Sequence, residues 1–273
     1  EVVLNGLQTA SFLMKKIISI LFLLLQIQLV GNNLQLSNLQ IVDEKIQFEI
    51  SWENSWKIEE SPANHDAVWI FFKVKQNSIW THLDLNLQID DFSILPESLE
   101  VALPNDKKGI MLRRKNIGIG DIEHVQIEIP IESLPANIEA LKVFGIEMVY
   151  IPDGAFYFGD GISYNSIMHQ SDSSAILIES ESEMHFDTMN VICFEDSLLP
   201  HILPLDFPKG FSGFYCMKYE ISQQQYCDFL NTLSIEQQIN RTENSPFSSV
   251  GTFAMIQDGR NRNGIVIAHS SSD

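Results

Sequence analysis

The side chains able to do chemistry in this chain are few and scattered. Three cysteines occur, Cys193, Cys216 and Cys227, none in a C-x-x-C or Cys/His cluster of metal-site form. Cys216 and Cys227 fall on a predicted strand and on the helix after it. Buried thiols are the preferred reading, and a bridge between the two stays open because spacing alone does not exclude it. Among seven histidines, His65 stands beside Asp66 as a candidate acid/base pair, but adjacent residues on a strand point to opposite faces. Gly118-Ile119-Gly120 lacks the third glycine and the strand-turn-helix context of a dinucleotide site. No G-x-S-x-G elbow, H-E-x-x-H helix or G-x-x-x-x-G-K-[ST] loop occurs. Glu179, Glu181 and Glu183 alternate with serines at a spacing that matches no oxygen-ligand pattern for Ca²⁺, so a solvated surface is expected there. Gln257 to Gly264, QDGRNRNG, puts Arg260 and Arg262 where a cation loop needs oxygens, and is read as a tight turn. No catalytic, cofactor-binding or metal-ligating residue is therefore assigned. The remaining candidate is aromatic. Trp52, Trp56, His65, Asp66, Trp69 and Trp80 could stack on sugar rings, although filling a core is the preferred reading, since aromatics contribute the most buried area.

These residues sit on a succession of predicted strands. Ile46, Phe48, Ile50 and Trp52 alternate with polar residues at the period of a half-buried strand. Leu83, Leu85 and Leu87 do the same, as do Val125, Ile127, Ile129 and Ile131, with Pro130 requiring an edge or an end because it lacks an N–H. Ala67 to Lys75, AVWIFFKVK, is apolar on both faces and is the expected central strand. Short strands with turn-rich connections and no helix predict an antiparallel β-sandwich over residues 32–141. Leu141 to Gly145 is the expected junction, and Ile146 to Gly159 a hairpin turning at Asp153-Gly154. Gly161 to Met184 is polar and Ser-rich, and is expected as a surface insertion. Phe214 to Tyr219 then predicts a short strand, and Ser222 with Gln225 a capping box opening a helix. Tyr226, Phe229, Leu230 and Leu233 give that helix one buried face. Lys218 and Glu220 are expected to pair on one strand face. Beyond Leu233 strong periodicity is lost, with Asn240-Arg241-Thr242 the only N-x-[ST] sequon.

The chain has 273 residues, enough for one large domain or two ordinary ones of roughly 100–150 residues each. Hydrophobic residues make up 45%, which supports a sizeable core. With 17 Lys plus Arg against 36 Asp plus Glu, the net charge of −19 argues against nucleic acid and anionic membranes as partners. Met14 to Gly31, MKKIISILFLLLQIQLVG, has the basic start and apolar run of a secretory signal. Gln26 and Gln28 leave it short of the ~20 apolar residues a membrane span needs, so export is expected and a stable span is not. Glu1 to Leu13 carry no targeting logic and are read as an upstream extension; the low, odd cysteine count argues against a disulfide-framed fold.

Two segments together resemble a known family. Glu147 to Gly159, EMVYIPDGAFYFG, supplies Met148, Val149, Ile151, Pro152, Gly154, Phe156 and Gly159 to an M-V-x-I-P-x-G-x-F-x-M-G pattern, with Phe158 where Met is usual. Phe214, Lys218, Glu220, Ile221, Ser222, Gln225, Tyr226 and Phe229 match F-x-x-x-K-x-E-V-T-x-x-Q-Y-x-x-F. In this order they resemble the opening of the formylglycine-generating enzyme, or sulfatase-modifying factor, family. Asn64 to Lys75, NHDAVWIFFKVK, also resembles the β-rich leader that precedes such domains in secreted bacterial proteins.

The resemblance implies a β-rich, α+β chain: the sandwich, then the incomplete N-terminal part of a C-type-lectin-like mixed α/β domain over residues 145–273. For full-length relatives it implies oxidation of a protein cysteine to formylglycine, with sulfatases as substrates. It also implies Cu(I) held by two cysteines, an ion that soft sulfur ligands select, and calcium as a further ion. The family's copper-binding cysteines lie near its C-terminal end by an R-G-G-S-W-type motif that this chain lacks. Cys216 and Cys227 match the family's fold-forming strand and helix, so the chain is expected to be inactive alone, with no cofactor of its own. The alternative is a noncatalytic, secreted or periplasmic binding or adhesion module that contacts glycan.

Overall fold

Alternating apolar residues set the architecture. The computed structural model describes residues 33–85, 88, 92–130, 137–160, 168–169, 174–186, 191–192, 202–256 and 262–268. The expected signal segment Met14 to Gly31, its upstream residues, Leu87, Ile131, Cys193 and Arg260 lie outside the described residues. In chain order the strands are β1 (Gln35–Val42), β2 (Lys45–Lys57), β3 (His65–Gln76), β4 (Ile79–His82), β5 (Ser93–Leu95), β6 (Leu99–Ala102), β7 (Ile110–Arg114) and β8 (Gly118–Pro130). There follow β9 (Ala140–Ile151), β10 (Phe156–Phe158), β11 (Met168–His169), β12 (Ile176–Ile178), β13 (Met184–His185), β14 (Val191–Ile192), β15 (Ile202–Leu203) and β16 (Phe214–Met217). Two short helices close the described chain, α1 (Gln223–Leu230) and α2 (Ile235–Ile239). The described residues are β-rich, as expected, with a large antiparallel sheet and two short helices.

Ten strands share one antiparallel sheet whose main path runs β16-β9-β3-β2-β8-β5. Strands β2 and β3 meet at the single pair Lys57↔His65, so the sheet folds over at that corner. The inward faces of β2 and β8 then meet those of β3 and β7. Ile46, Phe48, Ile50 and Trp52 pack with Val68, Ile70, Phe72 and Val74 in one buried cluster, and the Phe48 and Phe72 rings meet edge-on at 5.8 Å. Strand β3 is central, hydrogen-bonded to β9 along its length and to β7 and β4 on its other side. Pro130, the last described residue of β8, still pairs with Lys45 at the start of β2. Leu83 and Leu85 are buried but lie beyond β4 in irregular backbone, Leu85 N–H donating to the Lys107 carbonyl at 2.8 Å.

The second half departs from expectation in three places. Leu141 to Gly145 is strand, not linker: it lies inside β9, which pairs with β3 from Ala140↔Lys75 to Tyr150↔His65. Gly145 marks a close approach there, because a Cβ would meet Leu36 Cδ1 at 2.9 Å and Ile70 Cδ1 at 3.3 Å. The Ile146 to Gly159 hairpin does not form either. Strand β9 pairs with β16, Met148↔Met217 through Ile151↔Phe214, while β10 pairs with β12. The two motif-bearing segments are therefore neighbouring strands. Third, part of the Ser-rich region is packed, since Ile176 and Ile178 of β12 are buried. The described residues from Leu34 onward form one compact unit.

Both helices start with capping boxes. Gln225 N–H donates to Ser222 Oγ at 3.2 Å and Ser222 N–H to Gln225 Oε1 at 3.0 Å, as the sequence predicts. Leu230 and Leu233 are buried and Tyr226 and Phe229 half-buried, the single face that the spacing requires. Ser234 and Gln237 repeat the motif for α2.

Candidate functional site

The polar groups that could do chemistry converge where the sheet folds over, on both faces of β3. Side-chain alternation puts Asp66 at the head of the core face, above Val68 and Ile70, and His65 on the opposite face.

On the core face, the buried Asp66 carboxylate accepts from Trp52 Nε1 at 2.9 Å, Ser55 Oγ at 2.7 Å, the Trp56 N–H at 3.0 Å and Lys218 Nζ at 3.4 Å. Arg114 Nε donates to the same Ser55 hydroxyl at 3.1 Å. Lys218 follows β16; register brings it beside Glu147, with its N–H on the Glu147 carbonyl at 2.9 Å. Its ammonium lies 3.8 Å from Glu147 Oε2 and 4.5 Å from the centre of the Trp56 ring. One cation thus serves two carboxylates and an aromatic face. Burial, with the nearby Asp66 charge, pushes the Glu147 carboxyl up against the opposing pull of Lys218. Asp66 already accepts from four donors, which makes it a structural anchor and not an available base.

On the opposite face His65 stacks on Tyr150 at 4.9 Å, and its Nε2 lies 3.0 Å from Tyr215 Oη. Arg113 Nη1 donates to His65 Nε2 at 3.2 Å and to Tyr215 Oη at 3.4 Å. An acceptor Nε2 requires the neutral ring. Burial, followed by the charges of Arg113 and Lys57, lowers the His65 pKa to about 4. Glu100 accepts from Arg113 Nε at 2.7 Å and Lys57 Nζ at 2.9 Å. Burial raises its pKa, but these two cations outweigh that and hold the carboxyl below its ordinary value. Burial pushes the Tyr215 phenol up despite Arg113. The phenol stays protonated and the imidazole neutral, so the arrangement holds strands β3, β7 and β16 together without supplying an activated nucleophile.

The aromatic cluster divides. Trp52 is core, as preferred, and Trp56, Trp69 and Trp80 are half-buried. Trp80 stands opposite Lys75, ten residues along β3 from His65, about 30 Å at roughly 3.3 Å per residue, with Lys142 Nζ 5.6 Å from its ring centre. Trp56 and Trp80 therefore form no common platform. Cys216 and Cys227 are free thiols. Cys216 is exposed, contrary to the buried reading, and Cys227 is half-buried. They stand on different elements, β16 and α1. Lys218 does not pair with Glu220, since its ammonium turns to Asp66 and Glu147. Glu181 accepts the backbone N–H groups of Lys209 at 2.5 Å and Ser212 at 2.8 Å, and no group of three or more His, Cys, Asp or Glu able to hold a metal occurs among the described residues. The QDGRNRNG turn lies largely outside the described residues, although Gly264 N–H reaches Gln223 Oε1 at 2.6 Å.

Sequence reasoning missed Tyr150, Tyr215, Arg113, Glu100 and Glu147. Strand alternation gives each a face, but only register brings β7, β9 and β16 to one corner. No protein-family description, curated protein or solved structure matches this chain.

Proposed function

We propose that the chain is an exported protein whose part from β9 onward is the opening scaffold of a sulfatase-modifying-factor domain. In the whole protein that domain would oxidise a protein cysteine to formylglycine. The observation that carries this reading is the pairing of β9 with β16. The two segments that resemble the family, far apart in sequence, lie side by side in register, and the capped helix α1 follows directly. Met148, Val149 and Ile151 thus stand opposite Met217, Cys216 and Phe214. The conspicuous polar residues of the motifs act as scaffold. Lys218 neutralises buried Asp66, and Ser222 with Gln225 caps α1. Catalysis is assigned to none of them, and copper is assigned to neither Cys216 nor Cys227. The glycan-binding alternative draws less support, because Trp56 and Trp80 are far apart and each has a lysine over its ring.

The test is formation of aldehyde on a sulfatase-derived cysteine peptide by the natural protein that contains this chain, supplied with Cu(I) and O₂. Copper-dependent aldehyde formation is expected, and it should persist in Cys216→Ser/Cys227→Ser. Loss of the aldehyde in that double variant, with its fold intact, would overturn the scaffold assignment. No aldehyde from the unaltered protein would overturn the oxidase reading.

A further inference from the structure

An apolar cavity beneath β10 and β12 is used by none of the roles above. Register pairs Phe156 with Ile178 and Phe158 with Ile176, so alternation puts these four side chains on one face and Tyr157 and Leu177 on the other. The first face lines a cavity of about 370 Å³ that Phe207 and Lys209 also border. This volume falls within the roughly 300–1,000 Å³ of small-molecule sites, and its aliphatic and aromatic walls suit an apolar ligand.

Lys209 is the exception in that wall. It is only 8% exposed, and its ammonium donates to the Pro204 carbonyl. Glu181, the acid nearest in its hydrogen-bonding, spends both carboxylate oxygens on the backbone N–H groups of Lys209 and Ser212. No carboxylate among the described residues pairs with the Lys209 ammonium. With three donors and one carbonyl partner among the described residues, a buried ammonium is costly unless an anion meets it.

We propose that this cavity binds a single-chain amphiphile with a carboxylate head. The alkyl tail lies against Phe156, Phe158, Ile176 and Ile178, and the head against Lys209. The inference does not rest on the sulfatase-modifying-factor reading and holds whether or not the protein oxidises cysteine.

Calorimetric titration with octanoate, decanoate and dodecanoate below their micellar concentrations, and with decanol, tests it. Each added methylene should tighten binding about fourfold. Decanoate should bind about tenfold or more tightly than decanol, the worth of a charge-assisted hydrogen bond. Lys209→Met should bring decanoate to the level of decanol and leave decanol unchanged. Equal affinities for decanoate and decanol, no binding of decanoate at millimolar concentration, or decanoate affinity unaltered in Lys209→Met would each overturn the proposal. Should Lys209→Met fail to fold, the decanoate-to-decanol ratio and the chain-length series on the unaltered protein decide it.

Discussion

Replacing Lys218 with Met removes the cation at the centre of the core-face network while keeping much of its apolar stem. The Lys218 side chain is 10% exposed and that of Asp66 1%, so solvent screens the pair little. Breaking a buried pair by deleting one partner costs about 3–5 kcal/mol, since the other charge stays buried. Three features set the value here. Asp66 keeps the Trp52, Ser55 and Trp56 donors, which lowers the cost. Loss of the cation over Trp56 at 4.5 Å adds to it. Glu147 loses the one cation beside it among the described residues, which adds to the cost. We expect about 3 kcal/mol, or a fall in Tm of about 6–12 °C for a unit of this size. Urea unfolding followed by tryptophan fluorescence and far-UV circular dichroism gives the value, and a double-mutant cycle with Asp66→Asn isolates the pair. Its coupling should fall within about 1–3 kcal/mol. A loss under about 1 kcal/mol, zero coupling, or two separate transitions split near residue 141 would refute the argument that β16 is built into the sheet of β3.

Other perturbations follow from the same contacts. His65 has a folded pKa of about 4 against an ordinary 6.5, so the folded state prefers the neutral ring. Its contribution is fully present above about pH 6.5 and is lost as pH falls toward 4. The whole shift corresponds to at most about 3 kcal/mol. Stability measured from pH 7 to pH 4 should show this loss and His65→Phe should flatten it; an unchanged slope would count against a buried neutral imidazole. Gly109→Ala should cost about 1–3 kcal/mol in denaturant unfolding, because its Cβ would meet Trp69 Cζ2 at 2.7 Å as well as the Ile70 carbonyl. Ser222→Ala should cost about 1 kcal/mol by the same assay through loss of the α1 cap, and a neutral result would contradict the capping role.

The legible parts of this fold were those that local pattern determines. Ile46 to Trp52 and Val125 to Ile129 announced half-buried strands by strict alternation, and Ala67 to Lys75 announced the central strand by being apolar on both faces. Ser222 and Gln225 fixed the start of α1 because a capping box is a contact between residues three apart. Pairing partners were not legible. Met148 to Ile151 and Phe156 to Phe158 looked like two arms of a hairpin because they are close in sequence. Pro152 has no N–H to extend the ladder, and Gly154 N–H goes to the Phe211 carbonyl at 2.9 Å, so the arms part and each finds a distant partner. Gly145 resembled linker composition, yet it marks the place where Leu36 crosses β9. The polar corner was hidden for the same reason. His65 and Asp66 were visible, whereas Tyr215 and Lys218 reach them across 150 and 152 positions of sequence.

The most direct test of the account asks whether the two motif-bearing segments are adjacent strands. Val149 faces Cys216 across β9 and β16, and opposed antiparallel residues stand about 4.5–5.5 Å apart, within the Cα range of a disulfide. Val149→Cys, in a background with Cys193 and Cys227 replaced by Ser, should form an intramolecular disulfide with Cys216 on mild oxidation, read by peptide mass mapping. Tyr150→Cys, one residue along and on the opposite face, should not. Equal cross-linking by both variants, or none by Val149→Cys in a folded protein, would contradict the β9–β16 register on which the proposed function stands.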